Sequence, residues 1–207
     1  MHDFEKRMIA AQLCELRAAE NDKGSPIIAG YAAVFSTRSD LLGGFFVEEI
    51  APGAFDDVMD QDVRGLFNHD PNYLLGRSKT GTLRLSLDSR GLAYEISPPD
   101  TQTIRDLVLT PLSRGDMSGS SFGFRVAPGG DTWREEDGVA IRTIYRLESL
   151  RDVGPVSFPA YPDAASAQRS LDVWKQAKGE GLHLSAITEK RSRERFLDLI
   201  NAPLGKP

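Results

Sequence analysis

Apolar and polar positions alternate in short runs along most of the chain, and turn-forming residues break the runs every few positions. Residues 27–35 (IIAGYAAVF) are small and apolar throughout, as in a buried strand, with Gly30 admitting a close backbone neighbour. A second strand is predicted over 45–50, ended by Pro52-Gly53, and a short amphipathic turn or helix over 54–60. Residues 63–67 are strand-like and stop at the turn cluster Asn68-His69-Asp70-Pro71. Leu83, Leu85 and Leu87 share one face of an alternating run over 82–88, which turns at Ser89-Arg90-Gly91 into 92–96, a hairpin. Pro98-Pro99 precedes a helix capped by Asp100 or Thr101, with Ile104, Leu107 and Val108 on its inner face. Residues 117–126 are apolar and Gly-rich. A second hairpin joins 131–134 to 140–147 across Glu135-Glu136-Asp137-Gly138, and 153–158 supplies a last strand. A helical pattern covers 164–178, and a weaker one 194–200 follows the linker Gly179-Glu180-Gly181. This order predicts an α+β fold, mainly β: a closed or nearly closed antiparallel barrel with one or two packed helices.

Composition narrows the setting. In 207 residues, 40% hydrophobic and 27% charged, there is enough apolar material for one globular domain. No apolar run is long enough to span a membrane, and the opening segment lacks the apolar core of a secretory signal. The single cysteine, Cys14, excludes an internal disulfide, and three histidines are too few for a closed zinc site. These features read as cytosolic, with no metal or organic cofactor. Residues 165–207 carry eight Lys/Arg against five Asp/Glu, leaving +3 there and −8 over residues 1–164. An acidic body repels phosphates, which argues against nucleic acid as a partner.

Three places offer chemistry. His69 stands just past an apolar strand, where it reads either as a turn histidine or as a general base with a near-neutral pKa. Ser118-Gly119-Ser120-Ser121-Phe122-Gly123-Phe124 reads either as a small-residue loop or as a nucleophile seat, where neighbouring N–H groups steady an oxyanion. It is not the Gly-x-Ser-x-Gly elbow of the α/β-hydrolases. Asp152 enters an apolar strand, either in an ion pair with Arg151 or as the carboxylate that orients His69, with Glu148 and Asp70 as rivals.

In order along the chain stand GYAAVF (30–35), an acidic residue leading into Ile50, Pro52, Gly53, Ala54 and Phe55, FNHDP (67–71) and LGR (75–77). GTLRL (81–85), RGDMSGSSFGF (114–124) and DVGPVSFPAYPDA (152–164) follow. As a set, covering about 28–164, these resemble the prohead proteases of tailed phages, capsid-maturation serine proteases related in fold to herpesvirus assemblin. The resemblance implies His69 as base, Ser121 as nucleophile and Asp152 as third member, with backbone N–H groups near Ser121 at the oxyanion; an arginine such as Arg125 beside them is left open. Gly154 departs from the serine usual in that last motif. The implied substrates and partners are the major capsid protein, its scaffold and the protease itself, inside the assembling prohead in the host cytoplasm; a homo-oligomer is a further implication. The competing function is a non-catalytic assembly factor on the same fold. Domain boundaries follow from the match: a polar extension with helical pattern over 1–26, the protease domain over 27–164 and a basic helical tail over 165–207. The two ends read either as tethers to capsid or scaffold subunits or as a packed helix with a tail.

Overall fold

The computed structural model describes residues 4–9, 11–21, 24–157 and 164–177. The chain divides into two units at Gln168/Arg169. In the first, twelve strands are described: β1 Glu5–Ile9, β2 Arg17–Glu20, β3 Pro26–Val34, β4 Phe46–Ile50, β5 Arg64–Leu66, β6 Leu74–Arg77, β7 Leu83–Leu87, β8 Gly91–Ile96, β9 Gly119–Val126, β10 Asp131–Glu136, β11 Val139–Ile144 and β12 Leu147–Val156. The fold is mainly β with few helices. Helix Ala164–Ala177 realises the helical pattern predicted there. The weaker helix and its linker lie outside the described residues.

The strands do not form one antiparallel barrel. They divide into three sheets, ordered β1-β9-β12-β5-β6, β10-β11-β4 and β2-β3-β8-β7. Two pairings, β4 with β11 and β5 with β12, are parallel. Alternation in sequence reports which face a strand buries but not which strand lies beside it, so a pattern consistent with a barrel is equally consistent with sheets around a shared core. That core joins Ile28 and Ala32 of β3, Leu92 and Ile96 of β8, Ile50 of β4, Phe122 and Phe124 of β9, and Val153 of β12.

Local chemistry explains the elements that were foreseen. The β7–β8 hairpin closes because Asp88 Oδ1 accepts from the N–H groups of Arg90 and Gly91 at 2.8 and 2.9 Å, an Asx turn. The β10–β11 hairpin turns on Asp137 and Gly138, both at positive φ, as a two-residue turn between right-twisting strands requires. Over 102–114 the chain is helical, with a π-helical stretch at Arg105–Leu109 just before Pro111. Thr101, not Asp100, caps it, accepting from Ile104 N–H. Leu107, predicted to face inward, is 42% exposed. The buried stripe runs Ile104, Val108, Leu112 at four-residue steps, and the wider π-helical turn rotates position 107 off it.

The polar N-terminal stretch behaves differently from its predicted helical pattern. Among its described residues only Ala11–Cys14 is helical; Glu5–Ile9 pairs with β9, and Arg17–Glu20 pairs with β3. Hydropathy hides this because the inward residues of β1 include Glu5 and Arg7, charged side chains buried by mutual pairing. The last strand also starts earlier than predicted, at Leu147, and takes in the Glu148–Asp152 segment.

Candidate active site

Three adjacent strands of the five-stranded sheet deliver the predicted residues. Ser121 lies in β9, Asp152 in β12 and His69 in the turn that follows β5. β9 is buried on both faces. Phe122 and Phe124 point into the core, their rings stacked 4.7 Å apart, while Ser121 and Gly123 face the other side. Ser120 shares the core face and donates to the Tyr94 hydroxyl at 3.1 Å. Burial pushes the Tyr94 phenol up, so it stays protonated. The two neighbouring serines are thus separated by the pleat of the strand.

Asp152 reaches the face of Ser121 through an irregularity. Leu150 pairs with Phe124 on the core face, and uninterrupted alternation would put residue 152 on that face too. A register shift between Leu150 and Asp152 leaves Arg151 out of step and pairs Asp152 with Gly123. The Gln61 side chain braces this stretch, donating to Glu148 O at 3.0 Å and accepting from Leu150 N–H at 3.1 Å. Ser121 pairs with Gly154, so two glycines fill the corners between serine and aspartate. Each leaves room that a Cβ would take. A Cβ at 154 would meet Leu66 O at 2.1 Å, and one at 123 would meet Asp152 Oδ2 at 2.6 Å.

His69 hangs over this patch from a strained turn. Asn68 and His69 both adopt left-handed backbone conformations, at φ 54° and 58°. The turn is clamped to the end of β12: Asn68 N–H donates to Pro155 O at 3.0 Å, and Ser157 N–H donates to Asn68 Oδ1 at 2.8 Å. Held there, His69 Nδ1 is hydrogen-bonded to Asp152 Oδ1 and His69 Nε2 lies 2.6 Å from Ser121 Oγ. A base in contact with a hydroxyl, and a carboxylate in contact with the base, is the arrangement nucleophilic acyl transfer needs.

A model of the caudovirus prohead serine protease family matches residues 12–177, most of the chain. The chain belongs to that family. No curated protein and no solved structure matches it. The rival acids sit elsewhere in the chain. Asp70 Oδ1 accepts from Asn72 N–H at 2.8 Å within its own turn, and Glu148 faces Arg125 across 3.8 Å. Arg125 itself, the arginine considered for the oxyanion, is four residues along β9 from Ser121, about 13 Å of strand. Among the described residues no group of three His, Cys, Asp or Glu side chains is placed to hold a metal ion, and no helix is long and apolar enough to cross a membrane.

Two features of the site were not foreseen. Ser121 is fully buried, and its Oγ also lies 2.7 Å from the carbonyl oxygen of Arg7 in β1. Behind β1 stands a buried ionic cluster. Arg7 donates to Glu48 in a fork, Nε to Oε1 at 2.7 Å and Nη2 to Oε2 at 3.0 Å, and also pairs with Glu5. Arg142 bonds Glu5, Glu48 and Asp131 at 2.7 to 3.1 Å. Burial works against the Glu5 carboxylate, but the Arg7 and Arg142 guanidiniums outweigh it and hold its pKa below the usual range. The only signal in the sequence was the Glu-Lys-Arg run between apolar residues, which reads as solvated until its partners in β4, β10 and β11 are known.

Proposed function

We propose that this protease is a serine endopeptidase of phage capsid maturation that cuts the scaffold-like segment of the major capsid protein, the scaffold and itself inside the prohead, in the host cytoplasm. The observation that carries this reading is the 2.6 Å approach of His69 Nε2 to Ser121 Oγ, with Asp152 on the far nitrogen, in a chain of this family. Asp152 accepts from Nδ1–H and so leaves the lone pair of Nε2 directed at the serine. Ser121 Oγ attacks the peptide carbonyl carbon as His69 takes its proton. The imidazolium then protonates the leaving amine. A water activated by the same ring hydrolyses the acyl-enzyme and returns the hydrogen to Ser121.

Intact-mass analysis of wild type and Ser121→Ala over hours, alone and co-expressed with the capsid protein, tests it. The wild type yields discrete shorter products, and the variant loses at least about 10⁴-fold in rate. Equal shortening of both would remove Ser121 from the role of nucleophile. Uncut capsid protein in both would favour the assembly-factor function instead.

A further inference from the structure

The edge of β9 beside Ser121 is taken by β1, which is itself the outermost strand of its sheet. β1 is extended and antiparallel to β9, with Met8 opposite Ser121 and Arg7 opposite Phe122. Its carbonyl at Arg7 is within hydrogen-bond distance of the nucleophile. The Ser121 hydroxyl has one hydrogen and two acceptors in reach, His69 Nε2 and Arg7 O. While Arg7 O holds that hydrogen, His69 cannot take it. Phe4 adds a cover on the neighbouring corner, its ring crowding Gly123 beside Asp152 and lying under the Arg151 guanidinium at 5.1 Å.

We propose that β1 lies in the substrate groove as an internal stand-in for substrate, and that the groove accepts extended peptides with a basic residue before the attacked bond and an acidic residue two positions earlier. This rests on the protease reading above. Extended peptides bind enzymes by adding a strand to a free sheet edge, main-chain bonds giving affinity and alternate side-chain pockets giving selectivity. The pockets here are the ones that hold Arg7 and Glu5. With β1 gone, the buried Glu48 carboxylate loses the fork of bonds from Arg7 and keeps the one from Arg142 Nη1, which calls for a cation where Arg7 was. Arg142 Nη1, which holds both Glu5 oxygens at 3.0 and 2.8 Å, is freed for the acid that follows Glu5's path. On such a peptide, Ser121 Oγ bonds to the carbonyl carbon of the basic residue and the C–N bond beyond it breaks. The Ser121 proton passes through His69 to the new amine, and water then splits the ester.

Fluorophosphonate labelling of the full chain, read by intact mass and mapped to Ser121, tests whether β1 guards the nucleophile. Arg7→Glu sets a like charge against Glu48 and drives β1 off. Met8→Pro removes an N–H from the strand without adding charge, and decides the matter if the first variant fails to fold. Lys6→Glu, at an exposed position of the same strand, controls for charge alone. Both test variants label about tenfold faster or more than wild type and Lys6→Glu. Equal labelling of all four overturns the guarding role and leaves the protease reading standing. No labelling of any removes the protease reading and this one with it. The pocket is tested separately on Met8→Pro, whose Glu48 is intact: peptides of the form Glu-x-Arg-Met are cut at least about tenfold faster than Glu-x-Glu-Met, and equal rates overturn the assignment.

Discussion

Replacing Gly123 with alanine perturbs the proposed triad without substituting any of its members. The added Cβ would sit 2.6 Å from Asp152 Oδ2 and 2.6 Å from Phe4 Cζ, where ordinary contact begins near 3.4 Å. Each neighbour must therefore retreat by about 0.8 Å, unless the strand shifts toward one as it yields. The ring of Phe4 can swing, but the carboxylate is fixed through Oδ1 to His69, so any share it takes tilts the imidazole away from Ser121. Displacements near 1 Å in a positioned catalytic group cost on the order of 10²-fold in rate. Overpacking adds about 1–3 kcal/mol to the stability cost. The assay is turnover of a chromogenic peptide by Gly123→Ala, with thermal unfolding measured beside it. The expected result is a rate loss of about 10²-fold in a protein that still unfolds cooperatively. Wild-type turnover in a variant of slightly lowered stability would mean that Phe4 alone gives way. The geometry of the Gly123–Asp152 corner would then not govern the imidazole.

Two further outcomes are expected. Ser120→Ala loses its bond to Tyr94 and about 1 kcal/mol of stability, but keeps processing, because its side chain faces the core; loss of processing in chemical-shift-verified folded protein would contradict the pleat assignment. Glu5 has a depressed pKa, so its contribution to stability is complete above the ordinary carboxylate value and is lost as pH falls through the lower, folded one. Urea unfolding should therefore show a stability decrement opening below about pH 4 that Glu5→Gln flattens. A variant with the wild-type slope would show that Glu5 is not held by the two arginines.

Much of the site could be read from the chain, but for uneven reasons. The β7–β8 and β10–β11 hairpins were legible because their turns carry the Asp and Gly residues that close them locally. Ser121 and His69 were legible through short motifs whose order along the chain is distinctive. Asp152 remained one of three acids, since its selection depends on a register shift in β12 and on Gln61, a residue 91 positions away with no marker of its own. The parallel pairs β5–β12 and β4–β11 join segments far apart in sequence, which local alternation does not encode. β1 was least legible of all, because its inward positions look like surface until the charges that neutralise them are brought together.

The attachment of β1 carries a quantitative consequence for how the proposed protease meets its substrate. The strand is joined to the body through the short helical turn Ala11–Cys14, so it competes for the edge of β9 as a tethered ligand. Short tethers give effective concentrations in the millimolar range. A dilute peptide in free solution loses that competition, whereas cleavable segments crowded at comparable density within a closed volume can win it. Reaction would then be governed by local packing of substrate around the enzyme, and would fade as the segments are consumed.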